Sequence, residues 1–89
     1  MRILFLLAAH VVTLSWTPTT APKVTTQQVW RQIGCAGNFI RQAQVSPTTK
    51  TWIDDSVKSG KTYCYYVTAE MGKTSTPPSN TATAIIPNP

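Results

Sequence analysis

Ser59-Gly60-Lys61-Thr62-Tyr63-Cys64-Tyr65-Tyr66-Val67-Thr68-Ala69-Glu70 is the stretch that decides the fold. Within it Tyr63, Tyr65, Val67 and Ala69 share one parity, while Cys64, Tyr66 and Thr68 share the other. That is the period of two of a β-strand with one buried face. Tyr63 stands three residues after a turn glycine, so its ring can lie on the core while its hydroxyl turns back to the preceding loop backbone. This is the tyrosine-corner arrangement of β-sandwiches.

Working outward, Asp55-Ser56-Val57-Lys58-Ser59-Gly60 is the connection into this strand, with Val57 placed to plug one end of a core. Thr51-Trp52-Ile53-Asp54 before it reads as a short strand, and Ser46-Pro47-Thr48-Thr49 as a break. Phe39 to Val45 is a strand, preceded by Gly34-Cys35-Ala36-Gly37-Asn38, whose glycines and asparagine accept the positive φ of a tight turn. Val24 to Gln32 alternates, with Gln27, Val29 and Arg31 on one face and Gln28, Trp30 and Gln32 on the other. His10 to Trp16 also alternates, and the two prolines of Thr17 to Pro22 end it in a loop. On the other side, Met71 to Asn80 reads as a polar loop and Thr81 to Ile86 as the last strand, stopped by Pro87-Asn88-Pro89. No segment has a helical period. The pattern predicts an all-β, immunoglobulin-like antiparallel sandwich of about seven strands, with Trp16, Val29, Trp52, Tyr63, Tyr65 and Val67 in its core.

Residues 1–10 form an apolar amino-terminal segment that admits three readings: a first edge strand, a truncated start, or a signal-like remnant. The basic residue and apolar run suit a secretory signal, but the run is shorter than the usual one of about 15 to 30 residues. It is also shorter than the roughly 20 apolar residues a membrane span needs, so no integral membrane segment is expected.

The 89 residues suffice for one core. Eight lysines and arginines against three acids give a net charge of +5, but they are spread along the chain rather than clustered into the basic stripe of a nucleic-acid interface. Two cysteines and one histidine cannot supply four zinc ligands, and three acids are too few for a calcium cage. Asp54 and Asp55 are adjacent, so a strand would point them to opposite faces, which excludes a catalytic carboxylate pair. His10 has no nucleophile pattern beside it, and the glycines lack phosphate-binding spacing. The expectation is a protein that is no enzyme, without metal or cofactor.

Taken together, Val12-Thr13-Leu14-Ser15-Trp16-Thr17-Pro18, Val29-Trp30-Arg31, Trp52-Ile53-Asp54, Val57 to Val67 with Gly60 and Tyr63, and Pro78-Ser79-Asn80 resemble a fibronectin type III domain of the bacterial kind. The resemblance covers residues 11–87. It implies that Trp16 and Tyr63 are buried framework positions. The chain departs from the pattern at Gln27, where the third strand usually carries a tyrosine, and at Met1 to Ala9, which replace the usual first strand.

The resemblance also makes the third strand a neighbour of the organising strand, which brings two pairs of residues into play. Trp30 and Tyr66 become neighbours on the outward parity, either as a candidate binding face for a sugar ring or protein partner, or as a cross-strand pair that only stabilises the sheet. Cys35, in the turn leaving the third strand, and Cys64, on the outward parity, become a candidate disulfide on the outer face; two free thiols are the competing reading. The implied function is a non-catalytic module of an exported or cell-surface bacterial protein, acting as spacer or protein-interaction domain and forming part of a larger multidomain protein. Alternatives are a carbohydrate- or protein-binding module using the Trp30 and Tyr66 face, and a domain of a phage structural protein. The expected partners are protein or polysaccharide.

Overall fold

The computed structural model describes residues 3–8, 10–18 and 23–87. The readings that fall on Met1, Arg2, Ala9, Thr19 to Pro22 and Asn88-Pro89 lie outside the described residues. Eight strands are present among those described: β1 (Ile3–Ala8), β2 (Val11–Trp16), β3 (Thr26–Ile33), β4 (Ile40–Val45), β5 (Thr51–Asp54), β6 (Thr62–Met71), β7 (Thr74–Ser75) and β8 (Ala82–Ile85). One antiparallel sheet has the order β1-β2-β5, and the second the order β4-β3-β6-β7 with β8 also on β6.

Inward residues of both sheets, Ile3, Val12, Leu14, Trp16, Val29, Tyr63, Tyr65, Val67, Ala82 and Ala84, make one core together with Val57 from the β5–β6 connection and Ile86 just after β8. Trp52, expected in this core, is only half-buried and packs against its margin. The cause is its position on β5, a four-residue edge strand, where an inward ring is covered from one side only.

β1 pairs with β2 along its whole length, from Ile3 opposite Trp16 to Ala8 opposite Val11. Ile3 is buried, and its backbone is clamped on both sides of the residue. Its N–H donates to Asn80 Oδ1 at 2.7 Å, and Asn80 Nδ2 donates to its carbonyl at 3.1 Å.

The segment expected as a polar loop from Met71 to Asn80 is partly strand. β6 runs to Met71, Gly72 turns the chain with φ +66°, and β7 pairs Thr74 with Met71 and Ser75 with Glu70. The reason the last strand is split into β7 and β8 lies in Pro77 and Pro78, which have no N–H to give a ladder. Side chains repair the gap. Thr76 Oγ1 accepts from the Ala69 amide and Ser79 Oγ from the Val67 amide, while the amides of Thr76 and Ser79 donate to the carbonyls of Ala69 and Val67.

The Tyr63 hydroxyl accepts a hydrogen bond from the Lys58 amide at 3.0 Å, which closes the corner between β5 and β6. Tyr63→Phe keeps the buried ring and removes this bond. We expect a loss on the order of 1 kcal/mol in equilibrium unfolding; a variant as stable as the parent would remove the hydroxyl from any structural role.

Gln27 is fully buried where the resemblance expects tyrosine. Its Oε1 accepts from Trp16 Nε1 at 2.8 Å, and its Nε2 donates to the carbonyls of Ser46 and Thr49, both at 2.9 Å. The amide thus joins the two sheets and fastens the β4–β5 loop, and its two donated bonds exceed what the single proton of a tyrosine hydroxyl could supply.

Candidate functional site

The outer face of the larger sheet carries the aromatic residues singled out in the sequence. Trp30 on β3 and Tyr66 on β6 are register partners, with ring centroids 6.1 Å apart and planes inclined by 35°. Phe39, which lies just before β4 rather than in it, joins them at 4.3 Å from the Tyr66 ring. All three rings are half-exposed, so the row is open to solvent along one side.

Two local devices fix this row. Trp30 Nε1 donates to Thr68 Oγ1 at 3.0 Å, so the indole lies over β6, keeps Thr68 buried, and needs no water for its N–H. The second device is the Cys35–Cys64 disulfide, whose Cα atoms are 5.2 Å apart. Cys64 sits on the outward parity of β6 yet is buried, covered by the bridge and by Thr83, whose hydroxyl lies 3.3 Å from its sulfur. Cys35 has φ +53°, a left-handed conformation unusual for a non-glycine residue, between Gly34 and Gly37, which are also left-handed. The bridge therefore ties a tightly turned β3–β4 loop onto β6, and the loop delivers Phe39 to Tyr66.

A β-bulge completes the face. The β3–β4 register passes from Val29 opposite Ala43 to Trp30 opposite Arg41, leaving Gln42 as the extra residue. Arg41, which would otherwise be displaced by Gln42, comes to stand opposite Trp30. Beyond it Gln28 and Gln44 are register partners on the same outward parity.

The other polar cluster is internal. Arg31 Nη1 meets Asp54 Oδ2 at 3.0 Å and Ser56 Oγ at 2.8 Å, the Tyr65 hydroxyl donates to Asp54 Oδ2 at 2.8 Å, and Ser56 donates to Asp54 Oδ1 through both its amide and its hydroxyl. The Arg31 guanidinium lies 5.2 Å from the centre of the Tyr63 ring, and its Nε is buried without a hydrogen-bond partner. Burial pushes the Asp54 pKa up, but the hydrogen bonds from Ser56, Tyr65 and Arg31 outweigh it and hold the carboxyl below its ordinary value. Burial, then the bond to Asp54, raises the Tyr65 hydroxyl well above its ordinary value. Asp54 is 3% exposed and Tyr65 fully buried, so this cluster carries no accessible acid or base. It is a structural tie between β3, β5 and β6. Among the described residues no group of three His, Cys, Asp or Glu side chains converges on a metal-sized site.

No protein-family model matches the sequence, and a comparison with curated proteins finds no match. Solved structures are similar. Pectate lyase PelI from Erwinia chrysanthemi, solved in complex with tetragalacturonic acid, is 28% identical over 92% of this chain and 27% of its own, with a TM-score of 0.78. The FN1–FN3 domains of chicken CNTN1 are 21% identical over 97% of this chain and 29% of theirs, with a TM-score of 0.84. The fn3 domain of human contactin 1 is 16% identical over 98% of this chain and 73% of its own, with a TM-score of 0.80. The fold is that of a fibronectin type III domain, and the chain spans less than a third of the first two of these proteins.

Proposed function

We propose that this chain is a non-catalytic fibronectin type III module of an exported or cell-surface bacterial protein, and that it serves as an interaction domain through the Phe39–Tyr66–Trp30 face. The observation that carries the reading is the aromatic row itself, held by the Trp30–Thr68 hydrogen bond and by a disulfide-anchored loop. Rings fixed before a ligand arrives lose little entropy on binding. A disulfide persists in oxidising compartments, which supports the exported location.

Carbohydrate is the favoured ligand class, because half-exposed aromatic rings stack on sugar rings and because the module of a pectate lyase shares the fold at 28% identity. The plainer reading, a spacer whose outer aromatics only brace the sheet, makes a different prediction. Under our reading, Trp30→Ala and Tyr66→Ala weaken retention on immobilised cell-wall polysaccharide by about tenfold while costing roughly 1 kcal/mol of stability or less. Unchanged retention with lower thermal stability would make the pair a sheet brace and leave the spacer role.

A further inference from the structure

We infer that the aromatic face selects anionic glycans, with Arg41 as the residue that meets the sugar carboxylate. The inference rests on the reading of this face as a sugar-binding surface and adds the chemical class of the sugar.

The bulge between Val29 and Trp30 sets Arg41, rather than Gln42, opposite Trp30, on the outward side of the sheet. Arg41 is exposed and has no carboxylate partner among the described residues. The three acids of the chain are engaged or distant. Asp54 is buried and bound to Arg31, Asp55 follows β5 in the other sheet, and both oxygens of Glu70, at the far end of β6, accept from Ser75 Oγ. The Trp30 indole lies over β6 and Arg41 stands on β4 across β3 from it, so a guanidinium at this edge of the face can offer its planar fork to the carboxylate of a sugar whose neighbouring ring stacks on the aromatic row. The amides of Gln28 and Gln44, register partners on this same side, are of the type that reads sugar hydroxyls. The net charge of +5 adds a long-range attraction for a polyanion, and that attraction weakens with salt while the local pair is screened less.

The test is calorimetric titration of the full, oxidised chain with oligogalacturonate and with a neutral oligogalactan of equal length at physiological ionic strength. The parent protein is expected to bind the oligogalacturonate more tightly. Arg41→Gln is expected to weaken that binding about fivefold and to leave the galactan affinity unchanged. Lys50→Gln removes the same charge from the loop before β5, away from the face, and is expected to change either affinity less than twofold. Equal losses for Arg41→Gln and Lys50→Gln would reduce the effect to bulk charge and overturn the inference. Equal affinity for the two glycans, both lost on Trp30→Ala, would overturn the anionic preference and leave the sugar-binding reading standing. A parent protein that binds neither glycan would remove both.

Discussion

Asp54→Asn is expected to destabilise the protein by on the order of 3 kcal/mol, lowering its melting temperature by more than about 10 °C. The asparagine nearly matches the carboxylate in size, so little packing is lost. What is lost is the charge opposite Arg31, whose side chain is only 15% exposed against 2% for Asp54. A buried guanidinium then stands uncompensated, and the Tyr65 and Ser56 hydroxyls face a weaker acceptor. Urea unfolding of the parent, Asp54→Asn, Arg31→Gln and the double variant gives the coupling directly. The double variant is expected to lose less than the sum of the singles; strict additivity would show that the pair does not act as one unit.

The same cluster sets a pH dependence whose sign follows from the shifts. Asp54 has a folded pKa below its unfolded value, so its contribution is full above the ordinary carboxylate pKa. It is lost as pH falls below that range. Tyr65 has a folded pKa above its unfolded value, so its contribution is full at neutral pH and declines as pH rises past about 10. Stability should therefore form a plateau between these limits, and Asp54→Asn should flatten its acid side. An acid limb unchanged in the variant would assign that limb to another group.

Reducing the Cys35–Cys64 bridge is expected to cost about 3.5 kcal/mol, the chain-entropy value for closing a loop with a sequence separation of 29. The structural consequence reaches the candidate site. The bridge holds the β3–β4 loop onto β6, and that loop positions Phe39 against Tyr66. Reduction should therefore shift the urea midpoint and also weaken glycan retention under conditions where the chain remains folded. A thiol titration of protein unfolded without reductant checks the premise, since two reactive thiols per chain would contradict the bridge. Identical unfolding midpoints in the oxidised and reduced forms would deny it any role in stability.

Much of the fold is legible in the sequence because period-two alternation is a local property. Tyr63, Tyr65 and Val67 share a parity, and the structure buries all three. Trp52 shares that inward sense, yet alternation says nothing about which strands lie at an edge, and an edge strand covers its rings incompletely. The split of the last strand was hidden for a different reason. Two prolines suggest a break, but only the spacing of Thr76 and Ser79 around them shows that hydroxyls take over the ladder.

The internal charge cluster left a signal that could have been used. Arg31 lies on the parity of Val29, and Asp54 on that of Trp52, so two opposite charges were both directed inward from facing sheets. Gln27 gave the same kind of signal, a polar residue on a core parity. Arg41 gave none, because a bulge changes register without altering composition, and only the pairing of β3 with β4 shows which residue stands opposite Trp30. Phe39 was obscured in the same way, since its place depends on a loop whose path the disulfide sets.

We propose that the outer face of the larger sheet is the surface through which this module binds. The three tryptophans provide a direct readout, because each indole N–H has a distinct environment: Trp16 bonds Gln27 inside the core, Trp52 lies at the core margin, and Trp30 bonds Thr68 on the outer face. Titrating uniformly labelled protein with oligogalacturonate and following the three indole signals by NMR is the measurement that separates them. The Trp30 signal is expected to move in a saturable way, together with the amides of Tyr66, Phe39 and Arg41, while the indole signals of Trp16 and Trp52 stay in place. A saturable shift confined to Trp16, Trp52 or the smaller sheet, with Trp30 unmoved, would contradict it.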